Sequence, residues 1–337
     1  MGLFDFLFGG NKNKTKRTPQ PTSRPASEGG ISYHAGFVEI PSVGFFGQFR
    51  KSHSGEWVIC WSDSDEVGHR GGHRDSGHGR YVLYNAMQNT VALQGRLERP
   101  NSGSVADNGN FSIEDWHFGS ELSGTFYVFS SVGQQLIEKK FDANLYNSAI
   151  SDSGRYAICQ TANSPAGEDG NRLTAFDVER SVQLFSIHPP TGWADRYRFV
   201  EDIPKIGVVI KKIGTFYYDM KGHFVDSEKF DAARLQCDRY DVVLMAAEEI
   251  LKAPELNDQL AKAALEAATR ARLLGADRDQ GWKALALKMQ GLAHEFLRNN
   301  EEAVAAFDEA LRINPKIGAK RKADSLRKKL ARNEKRP

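Results

Sequence analysis

Two short patterns alternate through the first two thirds of this chain, and that self-similarity constrains its fold more than any other feature. GEWVIC (Gly55–Cys60), GNFSIE (Gly109–Glu114) and GRYAIC (Gly154–Cys159) share Gly, any residue, an aromatic, any residue, then Ile. Each Gly follows a small polar residue: Ser54, Asn108 or Ser153. That pair makes a tight turn in which Gly supplies the positive φ. The alternation that follows sends Trp57 and Ile59, or Tyr156 and Ile158, to one face of a strand.

The second pattern occurs four times, in YVLYNAMQNTVAL, FYVFSSVGQQLIE, LTAFDVERSVQLF and TFYYDMKGHFVD. Its anchors are Tyr84-Asn85, Phe129-Ser130, Phe176-Asp177 and Tyr218-Asp219, spaced 45, 47 and 42 residues apart. Asn, Ser or Asp after the aromatic can bond forward to the backbone and close a turn. The alternation predicts units of four strands, each about 45 residues long.

From Gly36 to about residue 230 these units resemble the blades of β-propellers of the WD-repeat-like and quinoprotein-like kind. The resemblance rests on pattern and period. No Gly-His…Trp-Asp pair marks each unit, and SHSGEW and SDSGRY lack the aspartate of the sialidase-type box. It implies a small, about four-bladed propeller, either a closed ring or an arc completed by a partner or second copy. The fourth unit departs most, with DIPKIGVVI in place of the glycine turn. GFVEIP (Gly36–Pro41) is the expected ring-closing strand, because an unpaired sheet edge invites association.

From about residue 238 the period becomes helical: RYDVVLMAAEEILK, LNDQLAKAALEAATRARLLG, QGWKALALKMQGLAHEFLRNN and EEAVAAFDEALRINP are rich in Ala and Leu at three- and four-residue spacing. Residues 284–317 resemble one tetratricopeptide repeat. Gly291, Ala303, Phe307, Ala310 and Pro315 match that family's pattern: Gly291 and Ala303 are small where two helices would touch, Phe307 would fill the space between repeats, and Pro315 stops the second helix. Leu287, Gln290 and His294 depart from that family's pattern, and residues 239–276 are a degenerate version. The last helix puts Ala319, Ala323, Leu326 and Leu330 on one face and lysines on the other, as a capping helix should. The expected fold class is therefore mainly β plus α. The expected domains are an N-terminal tip and basic linker (1–30), a propeller-like domain (31–235) and a tetratricopeptide-like domain (238–333).

Of the 337 residues only Cys60, Cys159 and Cys237 are cysteines, far apart and odd in number. They form no disulfide framework, which fits a reducing, cytoplasmic compartment, and Cys60 and Cys159 at matching strand positions read as small core residues. No apolar run reaches the ~20 residues that cross a bilayer. The net charge of +2 is uneven: +3 over residues 1–30 and +8 over 316–337, around a body of −9. The tip GLFDFLF followed by lysines fits weak, reversible contact with an anionic membrane surface, against the plainer reading of a solvated tail. The basic C-terminal helix has no interleaved aromatics, so no nucleic-acid partner is expected.

Enzyme signatures are missing: there is no GxSxG, GxxxxGK[ST], HExxH or strand–GxGxxG–helix. No cofactor is expected. The loop GHRGGHRDSGHGR carries His69, His73 and His78. It joins the second and third strands of the first unit, and the equivalent junctions carry His117 in the second unit and Glu168 and Asp169 in the third. A common rim of these residues is the expected protein-binding face, since rigid scaffolds bind through loops. Zinc on His69, His73 and His78, or acid–base chemistry there, is the alternative. By the tetratricopeptide resemblance, Lys288, Leu292 and Glu295 would line a peptide groove. Leu292 stands where a carboxylate clamp needs Asn. The expectation is a non-enzymatic scaffold for protein partners.

Overall fold

The computed structural model describes residues 30–64, 76–119, 122–164 and 167–333. The N-terminal tip and linker, and His69 and His73, lie outside the described residues. The chain divides after His188 into two compact units.

The first unit consists of three antiparallel sheets whose strands follow chain order. The first sheet has six strands, β1 (Ser32–His34), β2 (Phe37–Ile40), β3 (Phe45–Lys51), β4 (Trp57–Ser62), β5 (Gly79–Asn85) and β6 (Thr90–Leu97). The second has β7 (Pro100–Val105), β8 (Phe111–Trp116), β9 (Gly124–Phe129) and β10 (Gln135–Phe141). The third has β11 (Leu145–Ile150), β12 (Tyr156–Thr161), β13 (Leu173–Asp177) and β14 (Val182–Ile187). Strand alternation gives each sheet an apolar face to bury. Ile59, Trp61, Tyr81 and Leu83 of the first sheet pack against Phe111, Ile113 and Phe129 of the second. Phe126, Val128 and Phe141 of the second pack against Ala157, Cys159 and Phe176 of the third.

Both sequence patterns have the backbone chemistry they imply. Gly55, Gly109 and Gly154 sit at φ 77°, 80° and 79°. Their N–H groups donate to the carbonyls of Ser52, Ala106 and Ser151 at 3.1, 3.0 and 2.9 Å. After the buried aromatic of the second pattern, Asn85, Ser130, Asp177 and Asp219 accept from the N–H of Gln88, Gln134, Arg180 and Lys221 at 2.8, 3.0, 3.0 and 2.8 Å. Neighbouring glycine turns are also tied together. Asp107 accepts from the Ser54 N–H at 2.7 Å and donates its own N–H to the Asp152 carbonyl at 2.8 Å.

The strand count differs from the uniform four per unit. The second and third sheets have four strands, the first has six, and a sheet in the second unit has three. Residues 36–41 supply β2, which pairs with β3 inside the first sheet, Phe37 opposite Gln48 and Ile40 opposite Phe45. The expected ring-closing role for that stretch is thus corrected. A short connection through Pro41–Val43, reversed by Gly44 at φ 55°, brings β2 straight back to its sequence neighbour.

The second unit begins with that three-stranded sheet, β15 (Arg196–Val200), β16 (Lys205–Ile210) and β17 (Gly214–Asp219). Helices α1 (Ser227–Gln236), α2 (Tyr240–Lys252), α3 (Asp258–Leu273), α4 (Gln280–Phe296), α5 (Asn300–Ile313) and α6 (Lys320–Asn333) follow. Helix thus begins at residue 227. In α1 only Phe230 is buried, so no helical stripe marks it in the sequence. Alanines 247, 264, 267, 268 and 271 are buried in the cluster that α2 and α3 share, which lets the backbones approach closely. Gly291 of α4 lies under Phe307 of α5: a Cβ there would stand 2.5 Å from the ring. Ala323 and Leu326 of α6 are buried, together with Ala319 just before it.

Candidate functional site

The junction residues bond within their own loops or to a neighbouring one. His117 is half-buried, with Nδ1 3.0 Å from the Ser123 hydroxyl and Nε2 2.9 Å from that of Thr125. Burial holds its pKa below the ordinary histidine value. Asp169 accepts the Asp142 N–H at 2.9 Å, while the Glu168 carbonyl accepts from Arg172 Nε at 3.1 Å. His78 is half-buried immediately before β5. Asp115, at the junction end of β8, is buried and accepts the N–H groups of Arg99 at 2.6 Å and Glu98 at 3.2 Å. Burial raises its pKa to about 7 against those two bonds. Among the described residues no three His, Cys, Asp or Glu side chains gather to hold a metal ion.

In the helical region Lys288, Leu292 and Glu295 follow one another along α4. Leu292 is half-buried between two clusters of the helical core. Glu295 Oε2 meets Lys322 Nζ of α6 at 2.6 Å. A Cβ on Gly318 would stand 3.8 Å from Lys288 Nζ. Both ends of this row therefore meet the segment that leads into and along α6.

The geometry adds a site at the other edge of the sheets. The first sheet carries two strands more than its neighbour, so β1, β2 and the outer face of β3 overhang β7. Register places His34, Phe37, Gln48 and Trp61 on one face of that overhang, joined by Glu39, Phe46 and Arg50. Its outer part is aromatic. Phe37 and Phe46, 40% and 52% exposed, stack with centroids 5.4 Å apart, and His34 stands 6.5 Å from Phe46 and 3.8 Å from Glu39.

Beneath the overhang lies a polar hollow of about 440 Å³, between β3, β7, β8 and β11. Its deepest charged group is Glu114 of β8, 1% exposed, whose Oε1 accepts the Ser148 hydroxyl at 2.7 Å. Burial raises the Glu114 pKa, against the Ser148 hydroxyl and the positive charge of Arg50. Arg50 Nη1 donates to Ser104 at 2.8 Å, and Trp61 Nε1 donates to Gln48 Oε1 at 2.9 Å. Sequence reasoning missed this place, although a signal was present. Glu114 occupies the position at which the other two repeats carry Cys60 and Cys159, both fully buried. An acid in a core slot of a repeat marks a unit built differently at that point.

No protein-family model and no curated protein matches this chain. Among solved structures it is similar to a chain of the Mitotic Checkpoint Complex, with 11% identity, TM-score 0.35, and cover of 56% of this chain and 58% of that one. It is also similar to the Dos1 propeller, at 8% identity and TM-score 0.32, covering 56% and 62%. A third is the β-propeller domain of the Trilobed protease from Pyrococcus furiosus, at 10% identity and TM-score 0.32, covering 51% and 52%. The chain spans a little over half the length of these solved chains. No helix among the described residues is long and apolar enough to cross a membrane.

Proposed function

We propose that this chain is a non-enzymatic interaction scaffold, built of a propeller-like arc of sheets and a tetratricopeptide-like helical module, that holds protein partners. One observation carries the reading: the stacked, exposed Phe37–Phe46 pair on the overhang, flanked by His34 and Glu39. Exposed aromatics with a polar rim are the composition of protein interfaces, where such anchors contribute most of the binding energy. The junction loops, including Glu168 and Asp169, and the Lys288, Leu292 and Glu295 row are further contact regions in this reading.

The test is affinity capture with the full chain, a Phe37→Ser/Phe46→Ser double variant and a form lacking residues 238–333, with partners identified by mass spectrometry. A partner held by the full chain and lost from the double variant is the expected result. Identical partners on all three forms would overturn the scaffold reading.

A further inference from the structure

We propose that the hollow beneath the overhang is a binding site for an uncharged polyhydroxylated ligand, a sugar of one or two rings. Its size falls in the range of small-molecule sites, and at about 440 Å³ it is larger than a few waters require. The lining decides the class. It holds one carboxyl, Glu114, and one guanidinium, Arg50; the remaining polar groups are the amides of Gln48, Asn101 and Asn147 and the hydroxyls of Ser102, Ser148 and Tyr146.

A ligand carrying a single sign of charge would satisfy one of the two ionisable groups and face the other with like charge. In a partly desolvated site that repulsion is costly. A hydroxyl both donates and accepts, so a polyol can give a proton to Glu114 and take one from Arg50. Glu114 Oε1 already accepts the Ser148 hydroxyl, and a carboxyl group has further acceptor sites that a ligand hydroxyl can use. Arg50 spends one of its five N–H groups on Ser104. Tyr146, 48% exposed, supplies aromatic surface at the hollow for the C–H face of a sugar ring.

Saturation-transfer NMR on the full chain tests this with glucose, N-acetylglucosamine, maltose and trehalose, and with citrate and spermidine as charged probes. Two variants locate the site. Glu114→Cys installs the residue that the equivalent slots of the first and third repeats already hold, and Arg50→Ala changes an exposed edge position. The expected result is transfer to at least one of the neutral sugars, weakened about tenfold in each variant. Transfer to none of the four sugars would overturn the proposal. So would sugar binding equal in wild type and Arg50→Ala, or binding of citrate or spermidine at the hollow in the sugars' place.

Discussion

The glycine turns between β3 and β4, β7 and β8, and β11 and β12 repeat one hydrogen-bond scheme, whereas the junctions leaving the far ends of β4, β8 and β12 share none. At the turns, Gly sits near the same φ in all three copies and the same backbone bond closes behind it. Even the side chains match: Ser52 with Ser54, and Ser151 with Ser153, each have their hydroxyls 3.1 Å apart. At the junctions an Asp63–Arg99 ion pair, a histidine between two hydroxyls, and an aspartate on a distant N–H do unrelated jobs. The difference follows from crowding. Each glycine turn touches the next, so an altered turn must also displace its neighbour. A junction has fewer such obligations and is free to diverge.

Gly109→Ala should test that account most severely. A Cβ there would stand 2.8 Å from the Ser131 Cβ and 2.9 Å from the Trp57 ring, at φ 80°. The expected loss is about 2–4 kcal/mol of stability, read from the urea midpoint. Gly55→Ala has nearly the same φ but nothing within 4 Å, so it should lose only about 1–2 kcal/mol. Equal losses would mean that backbone conformation alone, and not contact between turns, preserves the pattern.

At the junction end the sharper test is pH. The folded state holds the proton of Asp115 up to about pH 7, whereas an unfolded aspartate releases it near its ordinary, much lower pKa. The folded protein thus binds more protons in that window, and stability falls as pH rises from about 4 to about 7. Asp115→Asn removes this contribution and forfeits one N–H acceptor, so its stability relative to wild type should improve as pH rises through the window. Paired urea titrations at about pH 4.5 and about pH 7.5 read the change. A difference that is constant with pH would show that Asp115 ionises normally.

The smallest effect belongs to Asp169→Ala. It removes one partly exposed acceptor from the Asp142 N–H and should cost about 0.5–1 kcal/mol by the same titration. A loss as large as that of Gly109→Ala would erase the contrast between the two ends.

Much of the strand architecture was legible because it is written in local chemistry. A Ser-Gly or Asn-Gly turn and an aromatic followed by Asn, Ser or Asp announce themselves within a few residues, and all seven such turns formed as their residues imply. Gly291 as a small residue where two helices touch was legible from the tetratricopeptide resemblance, whereas its partner there, Phe307 of the next helix, was expected between repeats. Helix α1 was not, because it buries Phe230 alone and shows no periodicity. The hollow was not legible, because Glu114 lies in mid-strand in the slot of Cys60 and Cys159, and the other residues that line the hollow come from strands distant in the chain.

The sequence by itself determined the turns, the period of the strand units and the helical stretch from about residue 238. Those depend on φ preferences and on contacts a few residues apart. The tertiary structure alone decided how many strands each sheet collects, that residues 36–41 pair inward with β3, and that Glu114 opens into a polar hollow. These are long-range outcomes: a strand's edge partner is chosen by shape and register across the sheet, and a buried carboxyl acquires its surroundings from strands distant in the chain.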